Sequence, residues 1–384
     1  MRRFEICIFT KIIVLKVDSI ILTQFRNHQA THLGFNERVI GLCGSNGAGK
    51  TSILEAIHFL SVSKGMNAYS DGAYLMREKD FFRLEGSIKP GSMDSEGTHK
   101  LVVKYQARKG KIIEWNGDRV TKLGDLIGRF PVVSMVPQDI DLLLAGSRER
   151  RRIIDLAFAQ IDREYLDQLI LYRRILKQRN AYLKSVNKPG DFKPAMLSVF
   201  DDRIAPSAQF IFEKRKSYLK QLEKYFADFY EKVSSGKEKV DFSYKSELHE
   251  HDFQYLSEKN REKDRYTTRT NSGIHKDDLE LMLYDSKLKD TASQGQLKSA
   301  VLSLKLAIWE LIKEVTAKDP LFLLDDLFDR LDENRASSFL NLIKNQSDGQ
   351  IFITDTNEER LKSTLEKMGI PFQIVVIENG EIVS

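Results

Sequence analysis

The spacing of apolar positions along this chain changes twice. Short apolar runs at 17–25 and 39–43 predict strands, the second ending at a Gly-rich turn, and 101–105 and 112–115 continue the strand pattern. Asn116-Gly117 then supplies the positive-φ pair of a tight hairpin turn. Past Gly146, Ile154, Phe158, Ile161, Tyr165, Leu169, Tyr172 and Leu176 recur every three or four residues, a stripe that predicts one long helix. Asn187-Lys188-Pro189-Gly190-Asp191 breaks it, and a second stripe carries Ile211, Tyr218, Leu222, Tyr225 and Phe229. Two long helices joined by a Pro-Gly turn predict an antiparallel helical lobe, with Pro206 marking a kink or a start in its second half. From about Tyr266 mixed structure returns. Residues 279–284 read as a strand, 297–315 as a strongly periodic helix, and 321–324 and 351–353 as buried parallel strands.

Two of these runs end in chemistry. The strand at 39–43 leads into Gly44-Ser45-Asn46-Gly47-Ala48-Gly49-Lys50-Thr51, a complete P-loop pattern, and an amphipathic helix follows it. The glycines let backbone N–H groups turn inward around a β-phosphate. Lys50 supplies a point charge for the β- and γ-oxygens, and the Thr51 hydroxyl can ligate Mg²⁺. The strand at 321–324 ends in Asp325 and Asp326, the Walker B arrangement. Asp325 would hold Mg²⁺ through water, and Asp326 would orient or deprotonate the attacking water. ATP with Mg²⁺ is the cofactor pair this pattern calls for.

Between these motifs Ser293-Gln294-Gly295-Gln296 stands directly before the periodic helix, about 30 residues ahead of Walker B. A serine hydroxyl, a glycine permitting close approach and a helix N-terminus suit an anion. The same tetrapeptide could be an ordinary helix cap. Its position is that of the ABC signature, in which Ser293, Gly295 and Gln296 would reach the γ-phosphate held by a second copy. Leu331-Asp332 matches a D-loop, and Gln138 is the candidate Q-loop glutamine. The strand at 351–353 runs into Thr354-Asp355-Thr356 where most ABC proteins carry a switch histidine, so slow hydrolysis suited to a timer is expected. The expected fold class is α/β. An ABC-type ATPase head is built from 14–145 and 264–384, with the helical lobe at 146–263 inserted and 1–13 as an N-terminal extension.

Composition adds bounds. Hydrophobic residues make up 41% and charged residues 30% of the 384, ordinary for a soluble domain. No apolar run is long enough to span a membrane, and two cysteines, Cys7 and Cys43, fit a reducing cytoplasm. Charge is uneven. Residues 147–240 hold 21 Lys and Arg against 13 Asp and Glu, a local net of +8, so the rest carries about −3 of the chain's +5. A basic middle suggests a polyanion-facing surface or a solvated helical face. Arg148, Arg150, Arg151 and Arg152, then Arg173 and Arg174, are the candidate DNA contacts; pairing with Glu149 and Asp155 is the alternative for the first group. His275 has no metal-ligand neighbours and reads as a structural histidine.

Taken in order, these motifs resemble the RecF family, the bacterial recombination mediators related to SMC proteins. Phe25-Arg26-Asn27 is similar to its FRN, and Gly146-Ser147 with Arg151, Arg152 and Asp155 to its GSP-x-x-RR-x-x-x-D. Gln178-Arg179-Asn180 matches its QRN, Gly273-Ile274-His275-Lys276-Asp277-Asp278 its GPHRDD, and Ser293–Gln296 its signature. Departures are Ile274 and Lys276 in the fourth of these, and Lys64 and Asn67 where an RSFR-like stretch has arginines. The resemblance implies an ATP-dependent homodimer that binds double-stranded and gapped DNA. It also implies action with RecR and RecO to load RecA, in gap repair and the SOS response. A transporter subunit, an SMC-like tether, an ATPase-nuclease and a nonenzymatic DNA-binding module are the rival classes. The basic lobe, the short insertion, the absence of a spare acidic cluster and the intact P-loop disfavour them in turn.

Overall fold

The computed structural model describes residues 12–383 apart from 68, 91–96, 187–191, 235, 237, 285 and 331–332. The N-terminal stretch holds strands β1 (Ile13–Phe25), β2 (His28–Gly34), β3 (Val39–Cys43), β4 (Phe81–Pro90), β5 (His99–Gln106), β6 (Gly110–Trp115), β7 (Asp118–Arg119) and β8 (Val132–Met135), with helix α1 (Lys50–Val62) after β3. The middle stretch holds α2 (Asp139–Leu144), α3 (Ser147–Ile161), α4 (Arg163–Ser185), α5 (Pro194–Ser234), β9 (Val240–Lys245), α6 (Phe253–Lys259), α7 (Arg261–Thr267), β10 (Asp278–Leu283), β11 (Ser286–Lys287) and α8 (Leu288–Thr291). Then follow α9 (Gln294–Thr316), β12 (Lys318–Asp319), β13 (Leu321–Leu324), α10 (Leu327–Arg330), α11 (Glu333–Gln346), β14 (Ile351–Asp355), α12 (Glu358–Met368), β15 (Phe372–Glu378) and β16 (Glu381–Ile382). The fold separates into two compact units, with boundaries at Pro137/Gln138 and Ala307/Ile308.

The first unit joins both chain ends through two sheets. One has the order β12-β1-β4-β5-β6-β7, with β2 paired to β1, and the other β16-β15-β3-β14-β13-β8. In the second sheet β3 pairs in parallel with β14 and β15, and β13 with β14 and β8. Parallel strands covered on both faces read as unbroken apolar runs, which is why 39–43 and 321–324 carry no alternation. α1 packs on β4 of one sheet and on β8 and β14 of the other, so it is buried almost all round. Phe25 and Phe59 meet Tyr74 and Phe82 in one aromatic cluster of this core. The hairpin expected at Asn116-Gly117 is present, both residues at positive φ between β6 and β7.

In the second unit α4 and α5 lie antiparallel. Their contacts run from Asp162 with Tyr218, through Tyr165 with Arg215 and Gln168 with Ser207, to Tyr182 with Phe200. The helix expected to run unbroken past Ile161 is instead two. Asp162 takes an extended conformation and its side chain accepts the Tyr165 N–H, capping α4. The apolar period continues across this break because both helices press the same core, so spacing alone hid it. α5 begins at Pro194, and Pro206 lies inside it, removing the N–H that would reach the Asp202 carbonyl. The expected turn at Asn187–Asp191 lies outside the described residues.

This unit is wider than the lobe expected at 146–263. β10 pairs with β9, and α3 packs on β10, which draws 264–307 into the same core.

Candidate functional site

Parallel topology brings the carboxyl ends of β3, β14 and β13 side by side, the edge where open α/β sheets bind ligands. The P-loop leaves β3, Thr354 sits near the end of β14, and Asp325 and Asp326 follow β13. The loop bends through Gly44, Gly47 and Gly49, all at positive φ. At Gly49 the room is spoken for as well, since a Cβ there would lie 2.6 Å from His28 Nε2 and 2.9 Å from Asn27 Nδ2. Ser45, Asn46 and Gly47 face solvent, while Ala48 and Lys50 are buried. Lys50 Nζ reaches across the mouth of the loop to donate to the Gly44 carbonyl at 2.8 Å and the Ser45 carbonyl at 3.0 Å.

The two Walker motifs are joined through one carboxylate. Asp325 Oδ1 accepts the Thr51 hydroxyl at 2.8 Å and the Thr354 hydroxyl at 2.9 Å. Thr354 Oγ1 in turn accepts the Asp326 N–H at 2.7 Å. Asp326 is held at φ 45°, a strained conformation for a non-glycine residue beside a candidate reaction centre. Burial raises the Asp325 carboxyl to about 6, and the negative charges of Asp326 and Glu55 add to the rise. A hydroxyl, a carboxylate and a surplus of nearby negative charge fit a hard divalent cation that keeps part of its water shell. Among the described residues no cluster of three or more His, Cys, Asp or Glu could cage a metal by itself. Thr354, at the place of the switch histidine, is fully buried and its hydroxyl already spans the two acids.

A second layer holds the loop, and its residues carried no role in the sequence reading. Asn27 Nδ2 donates to the Gly47 carbonyl at 3.1 Å, and its Oδ1 accepts the Ser52 hydroxyl. His28 Nε2 meets the Gly49 carbonyl at 3.1 Å and Nδ1 meets Thr31 Oγ1 at 2.9 Å. Gly380 N–H donates to the Ala48 carbonyl at 2.8 Å. Phe25-Arg26-Asn27 thus has a physical content: Phe25 anchors the core, Arg26 stacks over Tyr74, and Asn27 braces the loop. Of the two residues standing for RSFR-like arginines, Lys64 pairs with Asp71 and Asn67 bonds to buried Glu55.

The other candidate residues lie in the second unit. Ser293 and Gln296 form a reciprocal capping box at the start of α9: Gln296 Oε1 accepts the Ser293 N–H at 2.6 Å, and Ser293 Oγ accepts the Gln296 N–H at 3.3 Å. Ser293 and Gln294 are exposed. Gln138, exposed, stands at the start of α2, where Asp139 pairs with Lys305 of α9. Leu331-Asp332 lies outside the described residues.

The arginines divide. Arg150, expected among the DNA contacts, is buried, with its guanidinium on both oxygens of Asp278 and on the Leu143 and Ala145 carbonyls. It is withdrawn from any surface. Arg151 is half-buried on the Asp277 carbonyl, and Arg152 pairs with Glu149. Arg173 holds Asp155 yet keeps 61% of its side chain exposed, and Arg148 and Arg174 are exposed.

Beneath them lies an ionic network that charge counting did not show. Arg215, 1% exposed, bonds Asp155, Asp277, Tyr165 and the Ile274 carbonyl. Arg179 of Gln178-Arg179-Asn180 bonds Asp201, Asp264 and Thr270. His275 Nε2 donates to the Thr270 carbonyl, which leaves Nδ1 to accept the Tyr172 hydroxyl at 2.6 Å. Burial lowers its pKa to about 4, so it is a neutral structural histidine.

No helix among the described residues is long and apolar enough to cross a membrane. Residues 15–373 match the AAA ATPase domain family AAA_15. The DNA replication and repair protein RecF of Bacteroides thetaiotaomicron is 34% identical over 96% of this chain and 98% of its own length. RecF of Porphyromonas gingivalis is 33% identical over 95% and 99%. A solved structure of the recombination mediator protein RecF with ATP, from the RecFOR pathway, superposes with TM-score 0.85 at 26% identity, over 97% of this chain and 98% of that one. An Smc head domain from Pyrococcus furiosus, at TM-score 0.52 and 15% identity, shares the fold alone. With its ABC-type α/β head, its inserted helical lobe and these relatives, the chain belongs to the RecF family of DNA replication and repair proteins.

Proposed function

We propose that this protein is an ATP-dependent DNA-binding recombination mediator that dimerises around nucleotide and hydrolyses it slowly. The observation that carries the reading is the single hydrogen-bonded chain Thr51–Asp325–Thr354–Asp326, which ties P-loop to Walker B at one sheet edge. Lys50 would exchange its two loop carbonyls for β- and γ-phosphate oxygens, and loop N–H groups would cradle the β-phosphate. Mg²⁺, held by Thr51 and through water by Asp325, would neutralise charge on the phosphates. Asp326 would orient the attacking water, and Gln138 would sense it. The exposed first turn of α9, with Ser293, Gly295 and Gln296, would receive the γ-phosphate bound by the second copy. Thr354 carries no titratable charge, which favours slow turnover.

DNA contact is assigned to the exposed arginines Arg148, Arg173 and Arg174, with Arg151 and Arg152 beside them. Duplex and gapped DNA as substrate, and joint action with RecR and RecO in loading RecA during gap repair and the SOS response, complete the proposal, and family membership supports them. Cytoplasmic location is part of the same proposal.

Light scattering with and without ATP and Mg²⁺ tests it. The expected outcome is an ATP-dependent dimer, lost in Lys50→Met and Ser293→Arg and prolonged in Asp326→Asn because nucleotide persists. If Ser293→Arg dimerises like wild type, the composite site is wrong.

A further inference from the structure

The capping box at the start of α9 depends on which way one amide points. Gln296 must present Oε1 to the Ser293 N–H; turned over, it would present two hydrogens to a donor and the cap would fail. Within the box the Ser293 N–H alone selects the oxygen, through one exposed hydrogen bond. Glu238 selects it from outside. Its Oε1 accepts Gln296 Nε2 at 2.8 Å, and an ionised carboxylate only accepts, so the NH₂ end of the amide must face it and Oε1 must face Ser293. Glu238 is in turn held from the other side: its Oε2 accepts the hydroxyl of buried Tyr230 at 3.2 Å. Tyr230 sits in the last turn of α5 and stacks on Phe226, which packs on Phe242 of β9.

We infer that Glu238 is a positioning residue for the composite ATP site: it fixes the rotation of the Gln296 amide and thereby the presentation of the Ser293 turn. A carboxylate beside a turn meant for a phosphate is otherwise unhelpful, because its charge opposes the ligand. Here it leaves the first-turn N–H groups of Gln294 and Gly295, which have no partner within the helix, at the exposed tip. The inference rests on the proposed role of Ser293.

The test compares Glu238→Gln, Glu238→Ala and Glu238→Lys. Glutamine keeps an accepting oxygen for Gln296 and can donate to the Tyr230 oxygen, so it should recover most of the wild-type behaviour. Alanine frees the amide. Lysine, a pure donor, should turn it over. Measured are affinity for a fluorescent ATP analogue, ATP-dependent dimerisation, and kcat and KM for ATP. Expected is unchanged analogue affinity and KM. Dimer stability and kcat should fall about five- to tenfold in Glu238→Ala, the loss of one helix cap, and further in Glu238→Lys.

A double-mutant cycle guards against a general folding defect. In a Gln296→Ala background Glu238→Lys should add nothing, whereas a merely structural role would add its effect in both backgrounds and overturn the inference. If Glu238→Lys dimerises like wild type while Ser293→Arg does not, Glu238 is dispensable and the composite site stands. If Ser293→Arg itself behaves like wild type, the reading beneath the inference has failed first.

Discussion

Two polar clusters in this protein each combine cations with aspartates and treat charge in opposite ways. At the strand ends of the first unit, Lys50 has only carbonyl partners among its hydrogen bonds, and Asp325 is bonded by two neutral hydroxyls with further acids nearby. In the core of the second unit each cation has carboxylates in contact. Arg215 meets Asp155 and Asp277; Arg179 meets Asp201 and Asp264; Arg150 meets Asp278. Carbonyl and hydroxyl partners suit the proposed uptake of phosphate and a cation, because either can replace them without breaking an ion pair. A site that must hold helices together spends its charges internally.

The comparison is broken most directly by removing one cation from each cluster. Arg215→Met should destabilise the fold by about 3 to 5 kcal/mol in urea unfolding, because buried Asp277 loses its cation and buried Asp155 is left with the largely exposed Arg173. Lys50→Met leaves no buried carboxylate without a partner, so it should cost less stability than Arg215→Met, and it should lower nucleotide affinity by about a hundredfold or more. If both substitutions cost stability equally and neither touches nucleotide binding, the division is wrong.

The next effect is the pH dependence that His275 gives the structural cluster. His275 has its pKa lowered from 6.5 to about 4 by burial. Between those values the unfolded chain takes a proton that the folded chain refuses, so stability is full above pH 6.5 and falls as pH drops toward 4. From pH 7 to pH 4.5 the loss should be about 2 to 3 kcal/mol. Measuring wild type against His275→Gln isolates it, because Asp325 and Asp277, raised by burial, shift stability in the opposite sense in both proteins. Equal slopes would show that the histidine is not held neutral.

Sequence pattern carried the first cluster better than the second, for a physical reason. A P-loop and a Walker B pair are local: a few consecutive residues fix backbone shape and charge, and an apolar strand ahead of each fixes their place. The second cluster is assembled from Asp155, Arg179, Arg215 and Asp277, far apart in the chain, and each looks like a surface charge on a helix or turn. Counting 21 cations in 147–240 therefore overstated the basic surface, with Arg150, Arg179 and Arg215 inside. The break at Asp162 was hidden for a related reason, a cap needing one side chain while the apolar stripe ran on. Asn27 and His28 were invisible as loop braces because their partners are backbone carbonyls about 20 residues later.

Thr354→Val sharpens the contrast within the first cluster. Valine keeps the shape and removes the hydroxyl that serves both acids, at a cost of about 1 to 3 kcal/mol in local stability. Nucleotide affinity should hold, since Lys50 and the loop are untouched. Turnover should drop by about tenfold, with the Asp326 backbone no longer anchored. An unchanged kcat would mean that Asp326 keeps its place through φ and packing alone.

The smallest effect falls on the surface that charge counting first suggested. Arg174 is exposed, so Arg174→Gln should shift stability by no more than about 0.5 kcal/mol. If it contacts a phosphate, the slope of log affinity against log salt for duplex DNA should become shallower by about 0.9. Arg150→Gln should do the reverse, destabilising the fold by a few kcal/mol through orphaned Asp278, with a salt slope like wild type in whatever remains folded. Arg148→Gln is expected to follow Arg174, since both side chains reach solvent. A salt slope that moved with Arg150 and stayed fixed with Arg148 and Arg174 would place the DNA on a rearranged lobe, with its interior ion pairs opened to reach the phosphates.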